Sequence, residues 1–92
     1  MIKIILDGSK MKNEKITHEM LKEIFEFPNY YGKNLDALWD CLTDWYLDDK
    51  AEIVWINFSK SKEYLGGYAD KILETFYEAS EQYGEFTIEV IE

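Results

Sequence analysis

The spacing of apolar positions changes several times along the chain, and each change marks an element. Ile2, Ile4 and Leu6 alternate with other residues before the turn signal Asp7-Gly8, which predicts a strand over 2–6. Ile16, Met20, Leu21, Ile24 and Phe27 recur at helical spacing, with Asn13 or Thr17 as the candidate cap and Pro28 as the stop. Residues 29–33, NYYGK, read as a loop. Asn34 is a natural cap for a second helix over about 35–46, whose apolar side carries Leu35, Leu38, Leu42, Trp45 and Tyr46. YLDDKAE reads as a polar loop, and IVWINF at 53–58 reads as a strand buried on both faces. A short helix at about 59–64 ends at Gly66-Gly67. Ile72, Leu73, Phe76 and Ala79 predict a helix over about 69–82 with Gly84 as its stop, and Phe86, Ile88 and Val90 alternate in a last strand.

The order is therefore strand, two helices, strand, two helices, strand. Long helical connections suit parallel strands, which cannot be joined by hairpins. The expected fold is α/β, a three-stranded parallel sheet packed with helices. The middle strand in sequence is the most apolar and is expected in the middle of the sheet. With 92 residues, one domain and one core are expected over 1–92.

Charge narrows the function. Nineteen acids against ten bases give a formal charge of −9, which argues against nucleic acid or an anionic membrane as partner. A basic protein partner is compatible with it. Cys41 is the only cysteine, so no internal disulfide can form. The opening MIKIILDG holds an apolar run too short for a signal-peptide core or a membrane span. A reducing, cytoplasmic setting is the expectation.

The chemistry concentrates in YYGKNLDALWDCLTDW, residues 30–45. Asp36, Asp40 and Asp44 fall on one helix face, opposite the leucines. The spacing alone does not separate a recognition surface from a solvated face. Asp36 has a structural reason to sit in the first turn, where the helix dipole favours an anion. Asp40 and Asp44 have none, and like charges at this spacing cost about 0.2–0.5 kcal/mol per pair. Tyr30, Tyr31, Trp39 and Trp45 bring four large rings to the same stretch. Such rings are enriched in binding hot spots, although the wheel position of Trp45 favours the core. Enzymatic readings are weaker. His18 is expected at or near the surface, and a buried mid-helix Cys41 is a poor nucleophile. A metal-dependent enzyme using Asp36, Asp40 and Asp44 lacks a visible further ligand. Gly66-Gly67 has no phosphate-loop pattern around it.

FPNYYGKNLDALWDCLTDW, residues 27–45, closely resembles the core signature of the barstar family, small cytoplasmic inhibitors of secreted or toxin ribonucleases. WINFSKSK at 55–62 and ILETFYEASEQYG at 72–84 match more loosely, as do the first strand and the closing FTIEVI. The resemblance implies a barstar-like fold and an inhibitor that is not an enzyme and needs no cofactor. The implied partner is a basic ribonuclease of the barnase type in a one-to-one complex, with the free inhibitor a monomer. It also implies site roles. Asp40 would be the central anion replacing an RNA phosphate, Asp36 would meet a neighbouring basic group, and Glu78 a third. Tyr30 and Tyr31 would pack on the enzyme, Tyr30 over its catalytic histidine, while Asn34, Trp39, Thr43, Asp44 and Trp45 lie in the same patch. Three features depart from the family pattern: Asp44 replaces a glycine, Lys33 replaces an acid, and the loop at 46–52 lacks a proline and is one residue longer. They bear on which ribonuclease is bound, and the role could be self-protection or immunity against a toxin. The alternative is an acidic adaptor or immunity protein for a different basic partner.

Overall fold

A computed structural model describes residues 2–44, 50–83 and 86–92. Its centre is the strand Ala51–Ile56, rich in β-branched and aromatic residues. In chain order the elements are β1 (Ile2–Asp7), a 3-10 turn (Gly8–Lys10), α1 (Glu14–Phe25), α2 (Leu35–Thr43), β2 (Ala51–Ile56), α3 (Phe58–Leu65), α4 (Gly67–Tyr83) and β3 (Phe86–Val90). The strands form one parallel sheet in the order β1-β2-β3, so the most apolar strand is central as expected.

The sheet is covered on one face. Leu6, Trp55 and Val90 lie in register, as do Ile4, Ile53 and Ile88, and these rows meet Leu21, Phe25, Leu38, Leu42, Ile72 and Phe76 from the helices in one core. The opposite rows carry Lys3-Glu52-Thr87 and Ile5-Val54-Glu89 and contribute nothing to that core. Burial on both faces of β2 was the expectation; instead Lys3, Ile5, Thr87 and Glu89 on that side are exposed. Val54 is buried all the same, because a central strand has a neighbour on each side.

Three boundaries move for identifiable reasons. Asn13 caps α1, accepting a bond from Ile16 N at 2.8 Å, while Thr17 turns inward and donates to Asn13 O. The helix closes at Glu26, whose φ of 55° is left-handed, two residues before Pro28. β2 ends at Ile56 because Asn57 is also left-handed (φ 54°); Phe58 then starts α3 and its N–H bonds Ile91 O. Gly66 caps α3 at φ 61°, and Gly67 already belongs to α4. The stretch of the second helix expected over 45 and 46 lies outside the described residues, as does the Gly84 stop.

The inner side of α1 is not the one its apolar spacing suggests. Thr17, His18, Leu21 and Phe25 are buried, whereas Ile16 and Ile24 are 40% and 39% exposed. The helix can bury its polar residues because both are satisfied, Thr17 by the carbonyl one turn back in its own helix and His18 by partners from other elements. Thr17 bonds Asn13 O, and both ring nitrogens of His18 are taken by tyrosine hydroxyls, which offsets the cost of burial. His18, expected at the surface or half-buried, is 1% exposed.

Candidate functional site

The stretch from Tyr30 to Asp44 is organised from the N-terminus of α2. Asn34 Oδ1 accepts the Ala37 N–H at 2.7 Å, so the helix starts at Leu35 and the preceding loop is held at its mouth. Leu38 and Leu42 point into the core and set the helix rotation. Asp36, Asp40 and Asp44 then face water. Asp44 is the C-terminal cap residue, with φ −98° and its N–H on Asp40 O, a conformation any residue adopts. An aspartate therefore stands there without backbone strain.

Two of these acids oppose the helix they sit on. Asp40 and Asp44 lie at the C-terminal end of α2, where the dipole is negative and no basic residue stands in the last turn. Thr43 Oγ1 donates to the Asp40 carbonyl at 2.9 Å and helps to close that end. A nine-residue helix with acids and no base at its C-terminal end is locally suboptimal.

The rings separate by role. Tyr30 is 85% exposed, the most solvent-accessible large hydrophobic among the described residues. It stands between two shallow hollows. One, of about 280 Å³, is bordered by Phe27, Pro28, Asp40, Cys41 and Asp44. The other, of about 330 Å³, is bordered by Gly32, Asn34, Asp36, Ala37 and Asp40. Both are walled by carboxylates from α2. Trp39 is half-buried and packs on the edge of the core.

Tyr31 corrects an expectation. It was placed against the partner, but it is only 5% exposed. Its ring packs on Phe27 at 5.0 Å between centroids, and its hydroxyl lies 2.6 Å from His18 Nδ1. Burial, first, and then Cys41 and Tyr68 keep its phenol protonated far above the ordinary range. Glu78 is exposed on α4, the helix packed against α2. Trp45 lies outside the described residues. Lys33 has a left-handed backbone (φ 54°) and its ammonium is 3.7 Å from Glu19 on α1, so its charge is turned away from α2.

The enzymatic readings find no geometry. Both nitrogens of His18 are occupied, and burial holds its pKa below the ordinary value. Cys41 is half-buried, and burial pushes its thiol up, with Asp40 and Asp44 adding to the effect. Among the described residues no three His, Cys, Asp or Glu side chains gather as a metal site.

A family model described as "Barstar (barnase inhibitor)" matches residues 1–91. The chain belongs to the barstar family. It is also similar to a protein of Bacillus subtilis (strain 168) named "Putative ribonuclease inhibitor YrdF", at 50% identity over 82 residues, 89% of each chain. The barstar family consists of ribonuclease inhibitors and not of enzymes, and the three-stranded parallel sheet with its helices is the barstar-like fold. No helix among the described residues is long and apolar enough to cross a membrane. Within this barstar-family site, sequence reasoning missed His18 and Tyr68 as supports. The available signal was that Thr17 and His18 share a helical face with Leu21 and Phe25.

Proposed function

We propose that this protein, acting in the cytoplasm as a single-domain monomer, inhibits a barnase-type ribonuclease by blocking its active site one-to-one. The observation that carries the proposal is Tyr30, standing exposed between two hollows walled by Asp36, Asp40 and Asp44. A ribonuclease holds the phosphates of its substrate with cationic side chains. Carboxylates on a rigid helix offer those cations fixed anions, and an exposed ring beside them covers a catalytic side chain. Asp40 is the central anion, with Asp36 and Glu78 on neighbouring basic groups. Asn34, Trp39, Thr43, Asp44 and Trp45 complete the patch, while Tyr31 acts from beneath it. The mechanism is steric and electrostatic, with no turnover and no cofactor.

The net charge of −9 gives this surface a long reach. Association with a basic ribonuclease is expected to be fast and to slow steeply with added salt, because attraction is screened beyond about 8–10 Å at ordinary ionic strength. The barnase–barstar pair is itself the reference case for such steering, so this expectation is inherited through family likeness. Stopped-flow association rates across a salt series test it, and a salt-independent rate contradicts it. The second reading, an acidic adaptor for another basic partner, predicts the same salt dependence but leaves RNA cleavage untouched.

A further inference from the structure

We infer that His18 is the positioning residue of the binding loop, holding Tyr31 so that its neighbour Tyr30 is presented to the ribonuclease. The inference rests on the inhibitory reading above for what Tyr30 does, but not for how the loop is held.

Among the described residues, side-chain ties of three kinds link the loop at 29–33 to its surroundings. Lys33 reaches Glu19 at 3.7 Å, with both side chains almost half exposed, and such pairs hold little. Asn34 Nδ2 reaches the Gly32 carbonyl at 3.4 Å, near the limit of a hydrogen bond. The third tie is buried and short: the Tyr31 hydroxyl is 2.6 Å from His18 Nδ1. The other ring nitrogen, Nε2, is 2.7 Å from the Tyr68 hydroxyl in the first turn of α4. A Tyr31–His18–Tyr68 chain thus runs from the loop through α1 to the helix that carries Glu78. The Nδ1 bond is the one that holds Tyr31, and the Nε2 bond satisfies the other end of the buried ring. The Tyr31 N–H on Pro28 O and its packing on Phe27 set the loop's shape, and the bond to His18 adds a directional contact at the far end of the buried ring. A neutral imidazole suits this chain, since one hydroxyl must donate to the ring and the other accept from it.

Two substitutions divide the chain. In His18→Asn the amide occupies the position of Nδ1 and keeps the bond to Tyr31. In His18→Gln it occupies the position of Nε2 and keeps only the bond to Tyr68. Both remove ring volume, so a purely structural role lowers the stability of both variants and affects binding in proportion. The positioning role predicts a split. His18→Gln dissociates from a barnase-type ribonuclease faster by about tenfold, the scale of one lost buried hydrogen bond, while His18→Asn stays within about threefold of the parent. Amide hydrogen exchange at residues 30–32 of the free protein rises in His18→Gln and not in His18→Asn. Tyr31→Phe beside Tyr68→Phe, which keep the rings, repeats the test if either His18 variant fails to fold. There the larger effect on dissociation and exchange belongs to Tyr31→Phe. Equal exchange in the paired variants overturns the assignment. Failure of the parent to bind any ribonuclease removes the inhibitory reading alone, because the exchange measurement needs no partner.

Discussion

Asp40→Ala is expected to weaken ribonuclease binding by about 2–5 kcal/mol or more, mostly through faster dissociation, while leaving the fold intact or slightly more stable. Free, the Asp40 carboxylate is solvated at the C-terminal end of α2, one turn from both Asp36 and Asp44. Its removal relieves about 0.2–0.5 kcal/mol of repulsion per neighbour and an unfavourable dipole contact of about 0.3–1 kcal/mol. Bound, the same carboxylate faces cations that are buried and unpaired without it. The magnitude of that loss is drawn in part from the barnase–barstar pair. Glu89→Ala, on the sheet face opposite the helices, is the control and changes dissociation by less than about twofold. Binding titrations and thermal melts of both variants check the contrast. Equal losses of affinity, or a collapsed melt for Asp40→Ala alone, contradict the role assigned to this residue.

Gly8→Ala is expected to destabilise the protein by about 3 kcal/mol or more, at the upper end of overpacking costs. Gly8 is buried at the start of the 3-10 turn after β1. A Cβ there would stand 2.2 Å from the Asn57 carbonyl oxygen and 2.3 Å from Ser61 Oγ. Neither neighbour yields easily. Asn57 makes the left-handed turn between β2 and α3, and its amide holds Asp7 at 3.0 Å. Ser61 accepts from buried Trp55 Nε1 at 2.9 Å. For a domain of this size, 1 kcal/mol is worth about 4–8 °C, so a melting temperature lowered by on the order of 12–24 °C is expected. A melt within about 3 °C of the parent contradicts this account of the β1–α3 joint. In the cold, where the variant remains folded, its ribonuclease complex dissociates at the parent rate, since the joint belongs to β1, β2 and α3 rather than to α2.

Element order was legible because period carries it, and sheet order because the most apolar strand takes the centre. Alternation at Ile4 and Leu6 and helical spacing at Ile72, Phe76 and Ala79 mark residues that reach the core, while Ile2 at the start of β1 is exposed. The rotation of α1 was not legible, since hydrophobic spacing scores Ile16 and Ile24 as inner and cannot see that His18 has tyrosine partners on other elements. The covering of β2 was illegible for a similar reason. An apolar central strand is buried by its two neighbours as well as by helices, so Val54 carries no record of which face is open. The end of β2 was marked in the sequence by Asn57, the one polar residue in IVWINF and a type that adopts the left-handed conformation readily, but the apolar Phe58 beyond it made the strand look longer. In the candidate site, the acids of α2 and the Asn34 cap followed from helix spacing and cap chemistry. The separation of Tyr30 from Tyr31 did not, since adjacent tyrosines look alike until one of them finds a buried histidine.

The most direct test of the central claim is a titration of RNA cleavage. A fixed concentration of a barnase-type ribonuclease, well above the expected dissociation constant, is mixed with increasing amounts of the protein, and cleavage of a fluorogenic RNA substrate is followed. Activity is expected to fall linearly to zero at a one-to-one ratio. Full cleavage at a micromolar excess, across a panel of such ribonucleases that includes one encoded beside this protein's own gene, would contradict the account.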